Sequence, residues 1–314
     1  MGLVAAVLMA CSAGDAVDVI VSGSSTVEPI SALVAQRLVR DVDGVAITVD
    51  GPGTGDGFER FCNGETDVSD ASRPIKDEEA AACAAKGIDH VELKVAVDGI
   101  TVVTSPRNDV TDCLDLKDLY ALVGPESQGV DRWSEANDLA AEIGASHAPY
   151  PDVPLVVTGP GEESGTFDTF VELTIKDLAE ERGVEDSTRP DYTSSPNDNV
   201  IVEGVTGNAT ALGWVGYAFY EESRGAVKAL QIDGGEGCVE PTAETIAGGE
   251  YPLARPLFIY VNLDRAAESP ALVEYIDLYL SDAGLAALVE EAGYVPLHED
   301  DVAATRAAWE EVRP

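Results

Sequence analysis

The chain has 314 residues, of which 45% are hydrophobic, so it can bury a substantial core and is not disordered throughout. Its 58 Asp and Glu residues outnumber 19 Lys and Arg residues and give a formal net charge of -39 at pH 7. This excess of acid excludes nucleic acid as a partner, because nucleic-acid binding needs a basic face. The composition predicts a halophilic protein, since salt screens the repulsion between its carboxylates. The alternative is an acidic protein that is simply very soluble.

The N-terminus predicts an exported lipoprotein. Residues 2–10 are apolar or small, and Leu8-Met9-Ala10-Cys11 resembles a bacterial lipobox, in which Cys11 is acylated. We therefore expect a signal segment over residues 1–15 and an extracytoplasmic location, in the periplasm or at the cell surface. No later stretch approaches the roughly 20 apolar residues of a spanning helix, so the lipid anchor would be the only membrane contact. Because no Lys or Arg precedes the apolar run, we expect the natural start upstream of Met1; the alternative is a frayed apolar tail.

The other four cysteines also favour export. Cys62, Cys83, Cys113 and Cys238 are even in number and lack the Cys-x-x-Cys spacing of zinc or redox sites. Two disulfides allow three connectivities. We favour Cys62 with Cys83, because both lie on neighbouring predicted helices, which leaves Cys113 with Cys238. The alternative is a set of buried free thiols in a cytosolic protein.

Short β-rich runs alternate with amphipathic helical stretches along the chain, a pattern typical of α/β layers with mainly parallel sheets. The predicted strands cover residues 19–21, 45–49, 100–104, 155–157 and 257–261. Apolar residues at helical spacing follow the first, second and fourth strands, and the chain is predicted to be helical from the last strand to Trp309.

Three short Gly/Ser/Thr segments stand between a predicted strand and a predicted helix. The first two are loop 1 (residues 23–27, Gly-Ser-Ser-Thr-Val) and loop 2 (residues 51–55, Gly-Pro-Gly-Thr-Gly). The third is Glu163-Ser164-Gly165-Thr166-Phe167, of which residues 164–167 are called loop 3. Small residues let a backbone approach a ligand closely, and the free N–H groups of a helix's first turn attract anions. The predicted ligands of a tetrahedral oxyanion are the hydroxyls of Thr26, Thr54, Ser164 and Thr166 and the N–H groups of Val27, Gly165 and Thr166. The alternative is ordinary helix N-capping.

The segment after residue 67 offers two further groups. Arg73 carries a fork of donors that suits an oxyanion, and Asp70 can accept a hydrogen bond from a protonated oxygen. The alternative is that Asp70 and Arg73 form a structural salt bridge.

Nothing in the sequence predicts catalysis, a metal or a cofactor. His90, His147 and His298 are scattered and lack ligand spacing. Ser164 does not lie in a Gly-x-Ser-x-Gly turn, so it lacks the signature of a hydrolase nucleophile.

Eight stretches together resemble the substrate-binding proteins of high-affinity phosphate ABC transporters, over almost the whole chain. They are Gly-Ser-Ser-Thr-Val at 23–27, Gly-Thr-Gly-Asp-Gly-Phe at 53–58, Asp-Ala-Ser-Arg-Pro-Ile at 70–75, Glu-Ser-Gly-Thr-Phe at 163–167, Asp-Asn-Val-Ile-Val-Glu-Gly-Val at 198–205, Ala-Leu-Gly-Trp-Val-Gly-Tyr at 211–217, Tyr-Pro-Leu-Ala-Arg-Pro-Leu-Phe-Ile-Tyr at 251–260 and Gly-Tyr-Val-Pro-Leu at 293–297.

The resemblance implies a two-lobed α/β fold of the periplasmic-binding-protein-like type II, with two hinge crossings near residues 99–106 and 256–262. Lobe 1 would combine residues 16–100 with 259–314, and lobe 2 would span 101–258. Such a protein would enclose inorganic phosphate between the lobes and deliver it, as a monomer, to the permease subunits of an ABC transporter.

The resemblance also implies which residues bind phosphate. Pro160 replaces an Arg that some members carry, and Ser72 replaces an aspartate, so we expect Arg73 and Asp70 to take over these roles. Sulfate, molybdate or tungstate binding is the alternative within this class, and a secreted phosphatase is the alternative outside it. The predicted phosphate ligands are Ser25, Thr26, Val27, Thr54, Asp70, Ser72, Arg73, Ser164, Gly165 and Thr166.

Overall fold

The computed structural model describes residues 17–162 and 164–314, so the predicted signal segment and Cys11 lie outside the described residues. The strands are β1 (Val17–Gly23), β2 (Val45–Asp50), β3 (Val68–Ala71), β4 (His90–Thr104), β5 (Cys113–Asp115), β6 (Val157–Gly159), β7 (Thr193–Ser194), β8 (Leu212–Gly216), β9 (Lys228–Ala229), β10 (Gln231–Asp233), β11 (Cys238–Val239) and β12 (Ala254–Asn262).

Helices follow most of these strands. They are α1 (Glu28–Asp41), α2 (Thr54–Cys62), α3 (Asp77–Lys86), α4 (Leu116–Val123), α5 (Asn137–Ile143), α6 (Gly165–Phe170), α7 (Lys176–Arg182), α8 (Asp198–Gly207), α9 (Tyr217–Ser223), α10 (Ala243–Gly248), α11 (Leu263–Glu268), α12 (Pro270–Tyr279), α13 (Val289–Glu291) and α14 (Glu299–Val312). π-helical turns at Val171–Ile175 and Ala283–Leu288 continue α6 into α7 and lead into α13. Within the described residues, no helix has both the length and the apolar content to cross a membrane.

The main sheet has the strand order β2-β1-β3-β12-β4-β8-β6-β7, with β9 also paired to β4. This confirms the predicted α/β architecture, but the expectation of mainly parallel sheets is wrong. Strands β12 and β4 run antiparallel to each other and to their other neighbours β3 and β8, whereas β1 and β6 pair in parallel with the strands beside them. The sequence analysis also missed β3, whose four residues are all buried although two of them are polar.

Strand β4 belongs to both halves of the sheet. Residues 90–99 pair with β12, and residues 100–104 pair with β8. Because β4 runs without a break from one half to the other, the predicted lobe boundary at residues 100/101 falls inside a strand. The division into two moving lobes stays a prediction.

Two disulfides join neighbouring elements, with the pairing that the sequence analysis favours. Cys62 with Cys83 joins α2 to α3 at a Cα separation of 4.2 Å, and Cys113 with Cys238 joins β5 to β11 at 6.1 Å. The second disulfide joins the two outer strands of a small sheet with the order β11-β10-β5. Each half of the fold thus carries a covalent link, and the link between α2 and α3 is buried.

Candidate functional site

Loops 1 and 2 are bonded to each other through their backbones. The N–H of Gly53 donates to the carbonyl of Gly23 at 2.8 Å. Gly23 has a φ of +151°, and a Cβ at this position would lie 2.1 Å from the carbonyl oxygen of Asp70. A Cβ at Gly57 in α2 would lie 2.4 Å from the Cα of Gly23. Only glycine permits these approaches. Gly23 and Gly57 therefore determine how closely α2 and β3 pack around loop 1.

The helices after these loops begin without a side-chain cap, as far as the described residues show. The N-cap of α1 is Val27 and that of α2 is Gly53, and neither helix has a side-chain cap hydrogen bond. Ordinary N-capping therefore does not account for the hydroxyls of loops 1 and 2. At the start of α1 the N–H groups of Val27 and Glu28 both donate to the carbonyl of Ser24, so the predicted donor Val27 is already bonded within loop 1. The partial positive charge of an uncapped first turn therefore belongs to α2.

Two hydroxyls meet beside loop 2. The Oγ1 atom of Thr54 lies 3.0 Å from the Oγ of Ser72 and accepts a hydrogen bond from the N–H of Ser72 at 3.2 Å. Strand β3 ends at Ala71, so Ser72 is placed by the strand and Thr54 by the first turn of α2. Each hydroxyl has a single hydrogen, so one of the two donates in this contact and the other remains free to donate to an anion.

Loop 3 reaches loop 1 from the other half of the sheet. A Cβ at Gly165 would lie 3.5 Å from the Oγ1 of Thr26, an ordinary van der Waals distance. Unlike loops 1 and 2, loop 3 does contain a side-chain cap, because Ser164 accepts a hydrogen bond from the N–H of Thr166 at 3.2 Å. The structure therefore brings the first turn of α6 against Thr26.

A cavity of about 460 Å³ lies at this junction. Five predicted ligands line it, namely Ser25, Thr26, Thr54, Ser72 and Arg73. The other five predicted ligands, Val27, Asp70, Ser164, Gly165 and Thr166, are not among its lining residues. The remaining lining residues are not among the predicted ligands, although four of them lie in loops 1 to 3; they are Ser24, Gly53, Gly55, Lys76, Phe167, Asp168, Val171, Glu172, Lys176, Asp186 and Arg255.

Arg73 is held at the cavity by a carboxylate other than Asp70. Its guanidinium makes two hydrogen bonds to Glu79, at 2.7 and 2.8 Å, and lies over the ring of Phe58 at 5.5 Å from the centroid. The hydrogen bonds that Arg73 donates to Glu79 raise the pKa of Arg73, which keeps its charge. Arg73 lines the cavity and Glu79 does not, so the guanidinium is the member of this ion pair that faces the cavity.

Asp70 lies behind loop 1 and is fully buried. Its backbone carbonyl accepts from the N–H of Ser24 at 2.9 Å, and its Oδ1 accepts from the hydroxyl of Ser31 at 2.9 Å. The other carboxyl oxygen has no hydrogen-bond partner among the described residues. Burial raises the pKa of Asp70 to about 8, and the negative charges of Glu28 and Asp50 act in the same direction. Asp70 is therefore placed to support loop 1, and a contact with the ligand stays a prediction.

Arg255 is the principal residue that the sequence analysis missed, although it lies in one of the quoted motifs. It is buried, and its Nη2 donates to Thr26 Oγ1 at 3.1 Å and to Thr169. Its Nη1 donates to Glu172, and its Nε lies 3.7 Å from Asp98, which is its partner in the β12–β4 register. Arg255 thus connects loop 1 with the helix that follows loop 3.

Three charged residues of that helical segment also line the cavity. Asp168, Glu172 and Lys176 follow Ser164 at intervals of four, which places them on one helix face. This spacing was the signal that could have identified them. Burial raises the pKa of Asp168, although the positive charge of Arg255 opposes the rise.

Two groups of carboxylate, imidazole and sulfur atoms come together away from the cavity. The two cysteines of one group, Cys113 and Cys238, are joined in a disulfide, and in the other His147 Nδ1 lies 2.6 Å from Asp118. Backbone N–H groups donate to both oxygens of Asp115 and to Oδ2 of Asp118, whereas Tyr150 donates to the other oxygen of Asp118. Protein donors therefore already occupy the oxygen atoms that a metal would need.

A family profile and two related proteins match most of this chain. The profile of the PBP superfamily domain matches residues 10–283. Protein SphX of Synechocystis is 39% identical over 282 residues, which cover 89% of this chain and 78% of SphX. The phosphate-binding protein PstS of Staphylococcus epidermidis is 36% identical, with 87% of this chain and 77% of PstS covered.

A solved structure agrees with the sequence relatives. The protein from Planctomyces limnophilus, described as "a possible phosphate binding protein", superposes with a TM-score of 0.83 at 39% identity. The match covers 94% of this chain and 98% of that protein. The periplasmic-binding-protein-like fold predicted from the sequence is confirmed.

Proposed function

This chain belongs to the PBP superfamily, and we propose that it binds inorganic phosphate in the cavity between loops 1 and 2 and the helical segment that begins at Gly165. The observation that carries the proposal is the placement of cations. Four of the 19 Lys and Arg residues line this one cavity, in a chain whose net charge is -39. The relative PstS points in the same direction, since its name describes a phosphate-binding protein.

Charge separation supports an anion as the ligand. An acidic surface repels an anion at long range, so the cavity, whose lining has four cations against three acids, is the place where the local concentration of an anion rises. The four cations, of which Arg255 is the most buried, face three acids on the cavity wall, and Glu79 already neutralises Arg73 in part. The lining cations are Arg73, Lys76, Lys176 and Arg255, and the lining acids are Asp168, Glu172 and Asp186.

Hydroxyls and N–H groups would supply most of the contacts. Thr26, Thr54 and Ser72 donate from one side of the cavity, and their short side chains lose little rotamer freedom on binding. We expect Ser164, Gly165 and Thr166, which do not line the cavity in the described structure, to donate from the other side, because Gly165 lies beside Thr26. A fully coordinated anion needs donors from both sides, because each side alone covers only part of a tetrahedral group.

This division of the donors implies closure of the lobes on the ligand. The two strands that pass between the halves of the sheet, β4 and β12, are the hinge crossings of the proposal. Binding then favours the closed arrangement by the free energy of the contacts made only in it. Small-angle scattering with and without saturating phosphate measures this closure as a smaller radius of gyration.

Delivery to a transporter completes the proposed function. We infer an extracytoplasmic monomer that passes phosphate to the permease subunits of an ABC transporter and is held at the membrane by a lipid on Cys11. A strong salt requirement for folding would support the halophilic character predicted from the composition. Cys11→Ser should abolish acylation in a competent bacterium and release the protein from the membrane fraction.

Isothermal titration calorimetry tests the proposal directly. Phosphate should bind to the wild-type protein, and arsenate, with the same shape and charge, should compete with it. If sulfate, molybdate or tungstate binds more tightly than phosphate, that anion is the ligand and the proposal of phosphate is wrong. Hydrolysis of p-nitrophenyl phosphate above a buffer control would instead indicate a phosphatase.

A further inference from the structure

Arg255 has two acidic neighbours that differ in their freedom to move. The side chain of Asp98 is 8% exposed and faces Nε of Arg255 across the β12–β4 pair. The side chain of Glu172 is 37% exposed, lines the cavity and makes its contact with Nη1. Asp98 is fixed by the strand and by the hydroxyl of Thr169 at 2.7 Å. Glu172 can leave Arg255 without creating a buried, unpaired carboxylate.

The charges around Arg255 make this difference matter. A buried guanidinium needs a counter-ion, and Asp98 remains beside it whatever enters the cavity. An anion that reaches Thr26 also reaches Arg255, because Nη2 of Arg255 already donates to the Thr26 hydroxyl at 3.1 Å. A phosphate and the Glu172 carboxylate would then compete for the same donors and repel each other.

We propose that the Glu172 carboxylate is a built-in competitor of the ligand: it pairs with Arg255 when no anion is bound and is displaced when the anion binds. The inference rests on the proposed phosphate-binding function and concerns how that site is tuned. The pairing of Glu172 with Arg255 lowers the apparent affinity for the anion. The apparent affinity equals the intrinsic affinity multiplied by the fraction of time during which Arg255 is free of Glu172.

Lys176 offers the displaced carboxylate a partner of opposite charge. It is four residues further along the same helical segment and lines the same cavity. Glu172 lies in the π-helical turn Val171–Ile175, and Lys176 directly follows this turn. Opposite charges on one cavity wall attract each other, so Lys176 is the cation to which the freed Glu172 carboxylate would turn.

Calorimetric titration of three proteins tests the proposal, at one pH and one salt concentration. Glu172→Gln removes the competing charge, and Asp186→Asn removes a charge from the same cavity wall at a residue that has no ion pair with Arg255 among the described residues. We expect Glu172→Gln to lower the dissociation constant for phosphate about 3- to 10-fold. Asp186→Asn should change it less than about 2-fold, because the charge of an exposed side chain is screened.

Sulfate distinguishes competition from recognition of a proton. A competitor hinders every anion, so Glu172→Gln should tighten sulfate and phosphate binding by a similar factor. Weaker phosphate binding with unchanged sulfate binding would overturn the proposal. Glu172 would then be a ligand that accepts a hydrogen bond from a protonated oxygen of phosphate. Equal effects of Glu172→Gln and Asp186→Asn would also overturn it and leave only a general charge effect.

Two further measurements keep the test independent of folding and of the parent proposal. Glu172→Ala should tighten binding in the same direction, and circular dichroism of each variant verifies that it is folded. If the wild-type protein binds no phosphate, the proposed function fails. If the wild-type protein binds phosphate but neither Glu172 variant binds it more tightly, only the competition is wrong.

Discussion

Loops 1 and 2 line the cavity with glycines and with the hydroxyls of short side chains. The helical segment after Ser164 lines it with the charged side chains of Asp168, Glu172 and Lys176. On the first side, a direct bond between Gly53 and Gly23 fixes the geometry. On the second side, ion pairs can exchange. The first side is thus preorganised, which reduces the entropy lost on binding, and the second side is adjustable. Substitutions in the two sides should therefore have different consequences.

The largest difference is expected between two glycines. Gly23→Ala should destabilise the fold by about 4 kcal/mol, because its Cβ would collide with the Asp70 backbone and its φ is strained for alanine. Gly165→Ala should cost less than about 1 kcal/mol, because its Cβ would meet Thr26 only at 3.5 Å. Urea unfolding at equilibrium measures both values. Similar stabilities of the two variants would contradict the rigid account of loop 1.

The next effect concerns the buried acid that supports loop 1. The folded-state pKa of Asp70, about 8, lies above that of an unfolded aspartate, so the folded state holds its proton more tightly. The stability associated with this proton is complete below about pH 4 and is lost as the pH rises towards 8. Asp70→Asn should therefore be close to wild type at pH 4 and become increasingly more stable than wild type as the pH rises towards 8.

Unfolding curves from pH 4 to pH 9 measure the difference between Asp70→Asn and the wild-type protein. A difference that does not change with pH would contradict the raised pKa. The same variant tests the predicted ligand contact of Asp70. If Asp70 accepts a hydrogen bond from a protonated oxygen of phosphate, Asp70→Asn should have a smaller ratio of phosphate affinity to sulfate affinity. If Asp70 only supports loop 1 from behind, this ratio should not change.

A smaller effect is expected for the hydroxyl of loop 2. Thr54→Ala should weaken phosphate binding by about 1.5–3 kcal/mol, the loss of a hydrogen bond to a charged group, with little change in stability. Thr54→Ser is the matched control, because it retains the hydroxyl that faces Ser72. Calorimetry should place Thr54→Ser near the wild-type dissociation constant. Unaltered phosphate binding by Thr54→Ala would remove Thr54 from the proposed site.

Local sequence signals were sufficient for one side of the cavity. Loops 1 and 2 were predicted because small residues, a strand end and a helix start are adjacent in the chain. The pairing of Cys62 with Cys83 was favoured for the same reason, since α2 and α3 are neighbours in sequence and in space. Strand β3 was not predicted, because its buried Ser69 and Asp70 interrupt the apolar pattern of a strand.

The charged side of the cavity depends on contacts that no local pattern contains. Arg255 meets Glu172 across 83 positions of sequence, and it does so only because β12 lies beside β4, with Arg255 opposite Asp98. The antiparallel course of these two strands was not predicted. Arg73 was expected to act with Asp70, yet it pairs with Glu79 six residues away. Local sequence patterns therefore predict the hydroxyls that line the cavity better than they predict the ion pairs of its charged residues.

The smallest effect separates capping from binding at Ser164, where the two sides of the cavity meet. Its side chain accepts from the N–H of Thr166 and so caps α6, but its hydroxyl hydrogen is still able to donate to an anion. Ser164→Ala should lose about 1 kcal/mol of stability with the cap, whereas Ser164→Gly should lose only a few tenths, because glycine is accepted at the N-cap. Both variants lack the hydroxyl, so both should bind phosphate about 10-fold more weakly if Ser164 is a ligand. Urea unfolding and calorimetry on the two variants therefore give independent answers. Wild-type affinity in Ser164→Gly would leave Ser164 as a cap alone, and the donors on this side of the cavity would then have to be Gly165 and Thr166.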